Sequence, residues 1–101
     1  MTIQNRLIDA LRDTRITSAT AYHTLMMLGL HADEDGNIGT NDAGQPASDP
    51  EFIAASLGVT KSAVFKSYRR LEECGYLAWD RARGNERATG VTGRVRILIS
   101  A

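Results

Sequence analysis

The stretch Ala54–Leu71, AASLGVTKSAVFKSYRRL, decides how this chain of 101 residues folds. It reads as two short helices joined by a tight turn. Ala54 is small enough to let a second helix cross closely over the first. Gly58 takes the left-handed backbone that ends a helix and opens a sharp turn. Val59 plugs the corner, and Thr60 caps the second helix by accepting a backbone N–H bond. Val64, Tyr68 and Leu71 recur at helical spacing, as a stripe that faces the first helix.

At roughly 100° per residue, Ser62, Lys66 and Arg69 fall opposite that stripe, with Phe65 and Arg70 on its flanks and Lys61 near the helix start. A helix seated by an apolar stripe and basic on its outer side is how a helix-turn-helix offers its recognition helix to the major groove. Thr60, Lys61, Ser62, Phe65, Lys66, Arg69 and Arg70 are then the candidate DNA-facing residues. The plainer alternative is an amphipathic helix with a solvated basic side. The downstream sequence favours DNA. Gly75 stops the helix, Tyr76-Leu77-Ala78-Trp79 is strand-like, and RARGNERATGVTG over Arg81–Gly93 suits a loop. Arg94–Ser100, RVRILIS, alternates: Val95, Ile97 and Ile99 share one face, Arg94 and Arg96 the other. Two strands with a basic tip make a hairpin whose Arg81, Arg83 and Arg87 are candidates for phosphate or minor-groove contact. Taken alone, those arginines fit a solubilising surface loop equally well.

Two runs carry a family resemblance: Leu57-Gly58-Val59-Thr60-Lys61-Ser62-Ala63-Val64, and Leu71-Glu72-Glu73-Cys74-Gly75-Tyr76-Leu77. Together they look like a winged helix-turn-helix, similar to GntR-type repressor domains and to the DNA-binding domains of plasmid and phage replication initiators. Leu25-Met26-Met27-Leu28-Gly29-Leu30-His31-Ala32-Asp33-Glu34-Asp35-Gly36 resembles the initiator-like group, in which a helix runs into a polar Asp-Gly turn before the first reading helix. The resemblance implies an α+β fold, a mainly helical winged helix-turn-helix with a C-terminal two- to three-stranded hairpin wing. It implies one domain over 1–101, with N-terminal helices in 1–31, the helix-turn-helix in 48–75 and the wing in 76–100. Its implied partner is double-stranded DNA, in a prokaryotic, plasmid or phage context. Phe65 departs from the pattern, standing where such families often carry a polar or basic residue, and the Arg81–Gly93 loop is long.

Composition bounds the remaining possibilities. The chain is long enough for one domain with one modest core. Its formal net charge is zero, yet residues 58–101 hold nine Lys/Arg against four Asp/Glu while residues 1–57 hold three against eight. Only the C-terminal half is suited electrostatically to a polyanion, so the acidic half is expected to face away from a duplex or towards another protein. No signal peptide or membrane-length apolar run is present, so no membrane role is expected. The single cysteine, Cys74, fits a reducing cytoplasm and reads as a part-buried small residue rather than a redox sensor. His23 and His31, eight apart on one expected helix, are too far separated to share a metal.

The N-terminal half reads as two helices and a connection. Thr2 caps Ile3–Asp13, with Ile3, Leu7, Ile8 and Leu11 on one side. Thr17 or Ser18 caps a second helix to about Leu30, on which Ala21, Tyr22, Leu25, Met26 and Leu28 are apolar. Asp33–Pro50 is polar, with a turn at Asp35-Gly36 and Ile38 as a short strand pairing with the wing. Ser48-Asp49-Pro50-Glu51 has capping-box spacing and an early proline, which starts the next helix. Asp33-Glu34-Asp35-Gly36-Asn37 fails as an EF-hand, because its glycine comes fourth rather than sixth and position twelve is Gly44. No phosphate loop, dinucleotide fingerprint, nucleophile pair or catalytic carboxylate pair occurs, so neither an enzyme nor a cofactor is expected.

Two classes stay open. One is a sequence-specific DNA-binding protein, a small repressor-like transcriptional regulator or a replication-initiator DNA-binding domain. The other is a protein-interaction module on the same fold. No small-molecule effector is identified. A chain stopping one strand after the wing is more naturally a small regulator. The apolar N-terminal helices exceed the needs of a small winged core, and one recognition helix spans few base pairs, so a homodimer through the Ile3–Asp13 helix is expected.

Overall fold

Every helix starts at a side chain that accepts one of the N–H bonds a helix start leaves unpaired. In the computed structural model, which describes residues 2–80 and 94–99, Thr2 caps α1 (Ile3–Arg12), Ser18 caps α2 (Ala19–Leu30), Asp49 caps α3 (Pro50–Leu57) and Thr60 caps α4 (Lys61–Glu73). Strands β1 (Leu77–Asp80) and β2 (Arg94–Ile97) follow and pair antiparallel, so the fold is α+β, with helices first and the strand pair last. No described helix is long and apolar enough to cross a membrane.

The turn between α3 and α4 forms as its residues require. Gly58 sits at φ 68° and gives the left-handed step, and the Val59 N–H donates to Ala54 O at 3.0 Å. Val64, Tyr68 and Leu71 are buried to 1% exposure or less against Leu25, Leu28 and Ile53, and α2 packs on α1, α3 and α4 together. The Tyr68 hydroxyl donates to Ser48 O at 2.6 Å, which ties the second turn of α4 to the start of α3. Ser48 therefore contributes its carbonyl, and Asp49, not Ser48, supplies the cap, accepting from the Glu51 N–H at 3.1 Å. Helix α4 closes with two crossed bonds, Tyr76 N–H to Leu71 O at 2.9 Å and Gly75 N–H to Glu72 O at 3.1 Å, the hydrogen-bond pattern that turns a chain sharply out of a helix.

The strand pair aligns Leu77 with Ile97 and Trp79 with Val95, and Leu77, Val95 and Ile97 are buried. Ala78, Asp80, Arg94 and Arg96 occupy the opposite face by alternation. A third segment joins the edge of β2: Asn37 bridges to Arg96, and the Ile97 N–H donates to Gly36 O at 2.8 Å. Gly36 and Asn37, not Ile38, thus make the expected pairing, and Ile38 bridges back to Ala32. Two Asx-type turns shape this connection. Asp33 Oδ1 accepts the Asp35 and Asn37 N–H groups, and Asn41 Oδ1 those of Ala43 and Gln45.

Helix α1 sits rotated from its expected orientation. Arg6 and Ala10 are buried, whereas Ile8 and Leu11 are 39% and 56% exposed, and Leu30 at the end of α2 is 79% exposed. The cause is Arg6. Its Nε donates to Leu98 O at 2.9 Å and its Nη2 to Gly75 O at 2.9 Å, and its guanidinium lies 4.5 Å from the centre of the Tyr76 ring. A buried cation with its donors satisfied and an aromatic face beneath it is tolerated, and here it links the end of β2 to the exit of α4.

Candidate nucleic-acid interface

Seating Val64, Tyr68 and Leu71 in the core turns the opposite side of α4 to solvent. Ser62, Lys66 and Arg69 are exposed there, and Lys61 is exposed at the helix start. Lys61 and Ser62 lie in the first turn, Lys66 in the second and Arg69 in the third, and Glu72 and Glu73 follow at the C-terminal end. The positive end of the helix dipole adds to the field at Lys61 and Ser62, in the first turn. Lys61 Nζ lies 3.7 Å from Glu51 Oε1, with both side chains well exposed, an ion pair too weak in water to withhold Lys61 from a polyanion. Thr60 has its hydroxyl engaged, Oγ1 accepting from the Ala63 N–H at 3.1 Å, so its part in the surface is to fix the helix start.

The two flanking residues go different ways. Phe65 turns towards the strands and stacks on Trp79, ring centres 5.7 Å apart and planes 24° from parallel. Trp79 meets the buried Tyr68 edge-on at 5.6 Å. Phe65 remains half-buried beside the basic surface, with Lys61 Nζ 5.9 Å from its ring centre. Arg70 turns the other way, to the α1–α2 connection, where its Nε and Nη2 donate to Arg15 O at 3.2 and 2.6 Å and its Nη1 pairs with Glu73 at 3.3 Å. Arg70 thus braces the helix, apart from Lys66 and Arg69.

That connection is itself clamped onto the end of α4. Arg15 Nη2 donates to Asp13 Oδ2 at 2.6 Å and to Cys74 O at 3.2 Å, and the Tyr76 hydroxyl donates to the same Asp13 oxygen at 2.8 Å. The side-chain and backbone hydrogen bonds from Arg15, joined by that from Tyr76, hold the Asp13 carboxyl well below the usual carboxylate range. Burial first, and the bond to Asp13 second, push the Tyr76 hydroxyl up to about 12.

Arg81, Arg83 and Arg87 lie outside the described residues. Arg94 and Arg96 are exposed on the outer face of β2, with Arg94 opposite Asp80 in the ladder. The RVRILIS alternation marked that face, although neither arginine was among the candidate contacts. Trp79 was likewise not among them. Its signal is an aromatic at an inward position of the strand directly after the helix. His31 Nδ1 lies 3.0 Å from Met27 O and its ring meets Phe52 edge-on. No protein-family model, curated protein or solved structure matches the chain.

Proposed function

We propose that this protein is a sequence-specific double-stranded DNA-binding protein of winged helix-turn-helix type, a small repressor-like transcriptional regulator working in the cytoplasm as a homodimer. The observation that carries the reading is the solvent side of α4. Ser62, Lys66 and Arg69, with Lys61 at the start, are exposed along a helix anchored by Val64, Tyr68 and Leu71, entered by a tight turn and followed by an antiparallel strand pair. A helix so held projects donors of major-groove length from a rigid base. The opposed charges of the two halves of the chain support the same orientation, basic side to the duplex. In this reading Lys66 and Arg69 read base edges, and Arg81, Arg83 and Arg87 supply mainly phosphate contacts.

Selection of bound duplexes from a random pool tests the proposal, with affinity for the winner measured across a salt series. Enrichment of one motif, with a log–log salt slope of several units, is the expected result. Failure to enrich any motif removes it. The exposed Ile8, Leu11 and Leu30 favour a second reading, a protein-interaction module. That reading predicts no salt-dependent duplex binding together with stable capture of a protein partner by the acidic half.

A further inference from the structure

Resting on the DNA-binding reading above, we propose that Phe65 reads thymine in the site by contact with its 5-methyl group, and that Trp79 is the residue that positions it. Phe65 lies one turn after Lys61 and Ser62, one turn before Arg69 and next to Lys66, so it sits among the cations of this surface. Its ring is not loose. It rests on Trp79 at 5.7 Å, Trp79 rests on Tyr68 at 5.6 Å, and Tyr68 is 1% exposed with its hydroxyl bonded to Ser48 O. Three rings therefore run from the surface to the core, and the outermost stays partly exposed. An apolar group held rigidly among donors matches the one apolar group that a standard base pair shows in the major groove, the thymine methyl. Packing on Trp79 accounts for the inner side of Phe65, and its partly exposed remainder lies between Lys61 and Arg69 along α4.

The test compares the selected duplex with copies in which single thymidines are replaced by 2′-deoxyuridine, a change that removes only the methyl. For the wild-type protein, one or two positions should lose about three- to fivefold in affinity, the size expected for one buried methyl. In Phe65→Ala the affinities for thymidine and deoxyuridine at those positions should become equal, and Phe65→Leu should restore part of the difference. Trp79→Ala should blunt the discrimination while keeping salt-dependent binding. Each ratio is taken within one variant, so a lowered folded fraction cancels. Wild-type protein indifferent to every replacement overturns the inference, as does an unchanged ratio in Phe65→Ala. Both outcomes leave DNA binding intact, whereas absence of any motif-selective binding removes the wider reading and this one with it.

Discussion

Lys66, Arg69 and Arg70 are near neighbours in sequence and differ in what they already touch. Arg70 is bonded to Arg15 O and Glu73, whereas the side chains of Lys66 and Arg69 make no hydrogen bond or ion pair among the described residues. Lys66→Ala and Arg69→Ala should each cost about 1–3 kcal/mol on the selected site and relax the base preference there. Arg70→Ala should leave the preference unchanged and lower folding stability by about 1 kcal/mol, the scale of one charge-assisted bond to a carbonyl at a partly exposed site. Competition binding and denaturant unfolding on the three variants separate the two effects. Gly36 offers a second contrast. It sits at φ 88°, and a Cβ there would stand 2.0 Å from Ile97 O, while a Cβ on Gly44, at φ 78°, would meet nothing within 4 Å. Gly44→Ala should lose only the conformational term, about 1–2 kcal/mol. Gly36→Ala should lose distinctly more, because the edge of β2 must also move, and urea midpoints of the two variants measure the difference.

At the scale of elements, the clamp between the α1–α2 connection and the end of α4 makes stability depend on pH at both extremes. Asp13 titrates below its ordinary value in the folded chain, so its contribution is present above its unfolded pKa of about 4 and is lost as pH falls through the folded value. Tyr76 titrates above its ordinary value, so its contribution is complete below about pH 10 and is lost as pH rises through about 12. Thermal unfolding of Asp13→Asn between pH 6 and 2 should show a flatter acid limb than wild type; parallel curves would sink the assignment. The elements divide by how far their causes reach along the chain. Thr2, Gly58 and Thr60 were legible in the sequence because each acts on backbone within a few residues. The Val64–Leu71 stripe was legible because helical period is local too. The burial of Arg6 was not, since its carbonyl partners lie 69 and 92 residues away. Nor was the inward turn of Phe65, because a helical wheel places it on the flank and only the register of β1 brings Trp79 to meet it.

For the whole molecule, the rotation of α1 changes where a partner copy would sit. Leu7 is half-buried, and a Cβ on Gly29 would lie 3.0 Å from its side chain, so Leu7 holds α1 against α2. Ile8 and Leu11 are the apolar residues that α1 leaves to solvent. If the homodimer forms through α1, Leu11→Glu should convert it to monomer in sedimentation at micromolar concentration and leave the monomer's unfolding midpoint nearly unchanged. Wild-type protein that sediments as a monomer both free and on its selected duplex removes the dimer. A dimer would bring two basic α4 surfaces to one duplex, and the selected motif should then be an inverted repeat with half-sites about one helical turn apart.

The Phe65–Trp79–Tyr68 ladder also has an optical consequence. The chain holds one tryptophan, so its long-wavelength ultraviolet emission comes from a single indole. That indole stands where the helix meets the strand, half-buried, with Phe65 on its surface side and Tyr68 on its core side. Its colour and intensity answer to water and charge within a few ångströms. The protein is therefore born with a lamp at the edge of its basic surface, able to follow in real time what arrives there without any dye attached.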